Sequence, residues 1–504
     1  MTFRLNGLRA ALLAGAASLA FAPHAQAAAK NGDTKLDALQ QQVQQLNAEI
    51  QELKQQRADD EARKAEEPDA QAAIADLKRS TSAQYADIQA QRANDVQISL
   101  KNGRPTFATG DGNFSVSLRT LVQYDTAYYG QSTVPVANTD FSSGNNFRRA
   151  RFGASGTLFK DWSYEFIYDF GGSGVEASTI SSAFIQYDGL GPVHIRLGAY
   201  APPEGFEDQT SASDLLFLER AQPTDVARSI AAADGRDAAT VFAYDDNYFA
   251  ALSYTGGVVG DSAVFDEQQA LVGRLAYRFI KTPDANFAIG GDTSYVFNLA
   301  DTAAYPNSPS AFRLRERPEL NVDSNNIRLI DTGTIDADHV WEWGVEAAGN
   351  WQNLYAQGGY YGYTIARRNS ILPNPSFNGW YAQASWVLTG EAKPYKADKA
   401  AYGLPSPADP LSFDTAGIGA WELAARYSVL DLNDNAGFAG FHAPAGGVRG
   451  GRQNIWTVGL NWYPNNAIRF LLDYQHTNVS RLNTAGADIG AKLDTVALRA
   501  QLSL

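Results

Sequence analysis

Apolar and polar side chains alternate along most of this chain, and residues 147–170, FRRARFGASGTLFKDWSYEFIYDF, do so most plainly. The spacing predicts two strands joined by a short turn at Lys160-Asp161. In the second strand Trp162, Tyr164, Phe166, Tyr168 and Phe170 share one face, and Ser163, Glu165 and Asp169 share the other. In the first, Ala150, Phe152, Ala154 and Leu158 alternate with Arg149, Arg151, Ser155 and Thr157. Successive strand residues point to opposite faces, so each strand carries one apolar and one charged face. A soluble sandwich alternates too. Many such strands with aromatic ends and small polar residues on the inner face fit a membrane barrel instead, apolar outside and wet inside.

From about residue 113 the pattern predicts about sixteen strands. The first runs near Phe114 to Tyr128, with Val116, Leu118, Val122 and Tyr124 outward and Ser117, Arg119, Gln123 and Asp125 inward. Later pairs flank the turns Asp245-Asp246-Asn247, Thr282-Pro283-Asp284, Trp351-Gln352-Asn353 and Pro464-Asn465-Asn466, which are hairpin signals. Short turns and long connections mostly alternate, as a barrel requires. Counted in order, the long segments 202–237 and 299–337 are the third and fifth loops of one rim. Segment 391–417, EAKPYKADKAAYGLPSPADPLSFDTAG, is also long but falls on the opposite, periplasmic rim. Either the strand count is off by one, or this is a folded periplasmic turn.

The N-terminus differs. Arg4 and Arg9 flank a short apolar core, Ala10 to Ala22, and Ala25-Gln26-Ala27 is a small-x-small cleavage site. This reads as a secretory signal peptide over residues 1–27. Residues 28–93 form a periplasmic helical segment and linker, and 94–504 the barrel. Leu36, Leu39, Val43, Leu46, Ile50 and Leu53 are spaced as an a/d heptad seam, and Pro68 separates a weaker helical pattern through Ile74, Leu77 and Ile88. So short a coil is marginal alone, and a solvated linker is the competing reading.

Composition narrows the class. The 504 residues suffice for one large barrel. No apolar run beyond the N-terminus approaches the ~20 residues of a membrane helix. Mean hydropathy is −0.30 although aromatics reach 12%, because every second barrel residue faces water. Cysteine is absent, which suits an exported chain. A net charge of −14 argues against a nucleic-acid partner. It does not set pore selectivity, since charges are screened within roughly 8 Å.

Several segments resemble the phosphate-selective porin O/P family: residues 147–170, LGAYAPPEGFEDQTSASDLLFLERAQP, FRLRERPEL with IRLIDTGTI, YAQASWVLTGEAKPY, and AWELAARYSVLDLND through WTVGLNWYPNNAIRFLLDYQHTNV. Their order and spacing span nearly the whole mature chain. The resemblance implies an all-β, sixteen-stranded antiparallel transmembrane β-barrel in the bacterial outer membrane. It also implies a homotrimer, a coiled-coil segment in the periplasm, a third loop folded into the lumen and an unusually long periplasmic turn. The heptad's Val and Ile at a with Leu at d lean instead towards a dimer. The expected function is a water-filled channel for passive diffusion of small anions such as phosphate or polyphosphate. A general-diffusion porin without phosphate specificity is the alternative.

Arginines carry the anion argument. Arg313, Arg315 and Arg317 recur at period two, and if extended they project to one side. Each guanidinium is permanently charged and grips oxyanions through a planar fork, and closely spaced sites let an anion step onwards. The resemblance matches these three to an arginine ladder, Arg148 and Arg149 to a constriction pair, and Arg220 to a third-loop arginine. Alternation alone turns Arg149 and Arg151 inward. The competing readings are a solvated loop face, with Arg313 to Arg317 paired to Glu316 and Glu319, and wall pairs of Arg149 or Arg151 with Glu165 or Asp169. His194 reads as pore lining.

Departures from the family pattern also bear on selectivity. Thr210-Ser211-Ala212-Ser213-Asp214 has an aspartate near where phosphate-specific members carry a lysine, and Ser182 replaces an acidic residue. Barrel lysines are few, so the lysine-rich vestibule looks thin. The chain ends in Leu504 rather than an aromatic, which is expected to weaken recognition by the barrel-assembly machinery. Lipid is the other expected partner. A cation-leaning porin and a barrel lipid hydrolase are the rival classes. The four mature histidines lie beside no nucleophile motif, so no enzyme is expected. No cofactor, metal cluster or phosphate-cradling glycine loop stands out.

Overall fold

Sixteen alternating strands pair in sequence order and the last returns to the first, so no edge is left unpaired. The structure, a computed structural model, describes residues 32–65, 68–101, 103–131, 140–172, 179–260, 265–301 and 311–504. The expected signal peptide lies outside them. The chain divides into two units, residues 1–89 and 90–504.

In the first unit, helix α1 spans Gly32–Ala65. Helix α2, Pro68–Asn94, starts on a proline, whose missing N–H costs nothing at a first helical position. Val43, Leu46, Ile50 and Leu53 of the heptad seam are exposed in the single chain.

The second unit opens with a hairpin, β1 (Val96–Lys101) and β2 (Arg104–Thr109), whose second strand pairs with the start of β3. Strand periodicity had placed nothing before residue 113. The wall then runs through β3 (Ser115–Gln131), β4 (Gly144–Leu158), β5 (Trp162–Asp169), β6 (Thr179–Leu190), β7 (Val193–Tyr200), β8 (Arg236–Tyr244), β9 (Tyr248–Val258), β10 (Gln269–Lys281) and β11 (Ala285–Asn298). Two-residue strands β12 (Arg315–Glu316) and β13 (Ile330–Asp331) pair within the fifth loop. The wall resumes with β14 (Ala337–Trp351), β15 (Leu354–Arg367) and β16 (Ser376–Val387). Strands β17 (Tyr395–Lys396) and β18 (Ala401–Tyr402) form a small hairpin inside the long turn. The wall ends with β19 (Ala420–Asp434), β20 (Val448–Tyr463), β21 (Ile468–Ser480) and β22 (Ala491–Ser503). Antiparallel pairing of β22 with β3, Leu493 opposite Gln131 through Ser503 opposite Leu121, closes the barrel.

Burial is inverted relative to a soluble protein. Gln123, Asp125, Arg426, Asp473 and Arg499 are buried on the inner face, while Leu252, Leu275, Phe279 and Trp456 are exposed on the outer face. Trp421 stacks on Trp462, and Trp462 on Phe470, beside the short turns, where amphipathic rings suit a membrane interface.

Sixteen wall strands fix the parity. Residues 388–419 join β16 to β19 at the short-turn rim, so the long turn is real and no strand was miscounted. It folds into the lumen: Arg274 of β10 donates to the carbonyls of Lys399 and Ala400 at 2.6 and 2.8 Å. From the other rim, the third and fifth loops pack together inside the barrel. Val226, Ala227 and Ile230 of helix α3 (Gln222–Ala231, third loop) share an apolar cluster with Leu314 and Ile330 of the fifth loop and with Tyr363 and Leu430 of the wall.

Candidate anion pathway

The third loop, residues 201–235, leaves β7 and crosses the lumen. A loop there has lost bulk water, so its backbone polar groups need partners. The inner wall supplies them. Arg499 donates to the Leu218 carbonyl at 2.5 Å, Arg469 to Leu215 at 2.6 Å, Arg426 to Glu219 at 3.0 Å and Asn461 to Leu216 at 3.0 Å. Asp473 accepts from the Leu218 N–H at 2.9 Å. The resemblance implied an infolded third loop, and these bonds are how this chain holds it.

Both members of the expected arginine pair face inward, for a reason alternation misses. Gln123 is opposite Arg149, but its neighbour Tyr124 is opposite Phe147. Arg148 is therefore the extra residue of a β-bulge, which breaks the period of two and re-aims a side chain. Arg148 meets Glu219 of the third loop at 2.8 Å, Arg149 lies 3.8 Å from the same carboxylate, and Arg499 lies 3.0 Å from it. Arg149 also donates to Gln123 at 2.8 Å, and Arg499 to Asp125 at 2.6 Å. Burial raises the Glu219 carboxyl's affinity for protons, but the three guanidiniums outweigh it and hold the group far below the usual carboxylate range. The cluster is an oxyanion cradle already holding a carboxylate of the chain.

Arg151 bridges Asp169 on β5 at 2.8 Å and Asp234 at the end of the third loop at 2.7 Å. Wall pairing with Asp169 was the competing reading, and that contact is present. Glu165 lies instead 3.9 Å from Arg119. Arg220 is buried and donates to the carbonyls of Glu207, Asp208 and Thr210 at 3.2, 3.0 and 2.9 Å. It shapes the loop around itself.

The fifth-loop arginines are extended, as their spacing requires for a common side. Arg315 lies in β12, Arg313 and Arg315 are exposed, and the intervening Leu314 and Glu316 are buried. Arg313 pairs with Asp331, with its Nε at 2.6 Å from the carboxylate, and Arg317 donates from Nε to Asn326 at 2.8 Å. The Arg315 side chain makes no ion pair or hydrogen bond among the described residues. Glu319, expected as a ladder partner in the competing reading, belongs to Arg426, Ser428 and the backbone of Gln222. Glu316 takes the Arg317 backbone N–H at 2.7 Å.

A cavity of about 690 Å³ lies between the third loop and the short-turn rim. Among the described residues that line it, eight are basic: Arg104, Arg119, Arg151 and Arg196, then Arg220, Lys396, Lys399 and Arg469. Five are acidic: Glu165, Asp208, Asp214, Asp234 and Asp398. Its charge is thus opposite in sign to that of the whole chain. Of the expected site residues it takes in Arg151 and Arg220, while Arg148, Arg149, Arg313, Arg315 and Arg317 lie elsewhere. Lys396 pairs with Asp214 at 2.6 Å, and Lys399 donates to Ser211 at 3.1 Å. The infolded turn therefore brings two ammonium groups to the part of the third loop whose own sequence lacks one. The sequence reading missed both lysines, because length and parity locate the segment without saying that it folds inward. It also missed Arg426, Arg469 and Arg499, which strand phase could have found.

His194 does not line this cavity. It is buried, stacked against Phe242 and Tyr244, and meets Asp188 at 2.6 Å.

The chain has clear relatives. Porin O of Pseudomonas aeruginosa is 25% identical over 419 residues, 79% of this chain and 90% of that protein. An uncharacterized protein of Caulobacter vibrioides is 26% identical over 413 residues, 76% of this chain and 75% of that one. Among solved structures, an anion-selective porin from Comamonas acidovorans is similar at 12% identity and a TM-score of 0.46, covering 78% of this chain and all of that one. The family model described as phosphate-selective porin O and P matches residues 114–504. That stretch contains all sixteen wall strands, so the chain belongs to the phosphate-selective porin O and P family and is an outer-membrane porin channel, not an enzyme.

Proposed function

We propose that this barrel passes small anions by passive diffusion and that phosphate and polyphosphate are the oxyanions its guanidiniums suit. The observation that carries the reading is the basic surplus of the cavity at the short-turn rim. Local charges at close range govern permeation where distant ones are screened. In this reading Arg313, Arg315 and Arg317 collect anions at the outer rim, Arg148, Arg149, Arg151 and Arg220 form the narrow middle, and Lys396 and Lys399 receive them below. Porin O shares its name with the phosphate-selective porin O and P family. That kinship supports the direction of selectivity.

A second reading keeps the channel and drops phosphate specificity. Arg148, Arg151 and Arg313 each already meet a carboxylate, which weakens their pull on a passing ion. One planar-bilayer experiment separates the readings. Under a KCl gradient the reversal potential takes the sign of anion preference; a cation-selective sign ends the proposal. Phosphate titrated into chloride then blocks the current if oxyanions bind, and leaves it unchanged in a general-diffusion porin.

The proposal extends to a homotrimer whose periplasmic N-terminal segments associate after removal of residues 1–27. The exposed seam Val43, Leu46, Ile50 and Leu53 supports that association.

A further inference from the structure

Away from the basic cavity, three carboxylates converge inside the barrel. Glu204 stands at the root of the third loop. Asp292 is on β11 and Glu342 on β14, both on the inner face. Ser294, cross-strand partner of Glu342, donates to Glu204 at 2.9 Å. One oxygen from each acid can be chosen so that all three lie within 4.8 Å of one another. All three side chains are more than nine-tenths buried. Both oxygens of Asp292, both of Glu342 and Oε2 of Glu204 have no hydrogen-bond partner among the described residues.

Five buried carboxylate oxygens without a donor call for a countercharge or for shared protons, and Asp292 and Glu342 lie close enough to share one. The basic groups around them are committed elsewhere. Arg228 meets Asp208 and Asp234 at 2.7 and 2.6 Å, and Arg274 donates to the long turn's carbonyls. Asp208 and Glu346, which also face the cluster, add negative charge.

We propose that Glu204, Asp292 and Glu342 bind a calcium ion that pins the root of the third loop to the barrel wall. The donor set is all oxygen, which excludes the softer metals that prefer sulfur or imidazole. Three carboxylates offer six oxygens, within the six to eight that calcium takes at about 2.3–2.6 Å. Two ligands on opposite sides of such an ion stand about 4.8 Å apart, and the three acids offer oxygens no farther apart than that. Magnesium is smaller and keeps several waters, for which a site this buried leaves little room.

The test uses the full barrel refolded in lipopolysaccharide-free detergent, once with calcium chloride and once with EDTA, so that the ion can enter during folding. After exhaustive dialysis, elemental analysis finds one calcium per chain in the first preparation, and its thermal unfolding midpoint is higher than that of the second. Magnesium chloride at the same concentration does not reproduce the shift. Asp292→Asn and Glu342→Gln each lose the bound calcium, while gel mobility of unheated samples shows that the barrel still forms. Absence of retained calcium in the wild-type protein overturns the proposal. So does undiminished calcium in both variants. Variants that gain stability with no calcium dependence would show a proton-sharing cluster and overturn it equally.

Discussion

Single side chains inside this barrel are set by how few waters reach them. Glu207 of the third loop illustrates the point. Burial pushes its carboxyl up to about 7, although Arg426 beside it pulls the other way. An acid whose folded value lies above its unfolded one favours folding most below the unfolded value, about 4.3. That contribution fades as pH rises towards 7. The wild-type barrel should therefore lose thermal stability between pH 5 and pH 8 more than a Glu207→Gln variant does. The difference is about 3 kcal/mol at most, at ~1.4 kcal/mol per pKa unit. Unfolding midpoints of both proteins at both pH values check this; equal slopes would mean that Glu207 is ionised throughout. Arg426 and Arg499 show the complementary case. Both are fully buried and ion-paired, and removal of such a charge strands its partner.

Elements obey their periodicity except where function bends it. The bulge in β4 is the clearest instance, because it lets consecutive residues Arg148 and Arg149 face Glu219 together. Deleting Arg148 leaves Phe147 next to Arg149, which is the order that the partners Tyr124 and Gln123 already require. The shortened strand should pair regularly, the barrel should assemble, and single-channel anion conductance should fall. A deletion variant that fails to assemble would show instead that the bulge is needed to build the wall. The hairpin β1–β2 is the element periodicity overlooked. Its strands are short, and Ile98 and Leu100 are exposed, so no buried face marks it.

At the scale of the molecule, the channel is narrowed from both rims, by the third and fifth loops from one and by residues 388–419 from the other. Replacing residues 394–404 by a short Gly-Ser connection removes Lys396 and Lys399 and opens the short-turn side. Conductance should rise while the anion preference read from the reversal potential weakens; an unchanged preference would assign selectivity to the arginines alone. The wall was legible in the chain because each strand repeats one rule, apolar out and polar in, which survives small errors in strand ends. The interior was less legible. Arg148 and Arg151 meet third-loop carboxylates 71 and 83 residues away and Lys396 one 182 residues away, and no local spacing reports such meetings. Asp292 and Glu342 drew no notice for the same reason. The way the third loop is strapped in has one more consequence. Arg426, Arg469, Arg499 and Asn461 grip its main-chain carbonyls, and a carbonyl is the same whatever side chain accompanies it. The path of the loop is therefore insulated from much of its own sequence. Its lumen-facing positions can mutate to suit a new solute, by natural drift or by design, without the loop letting go of the wall.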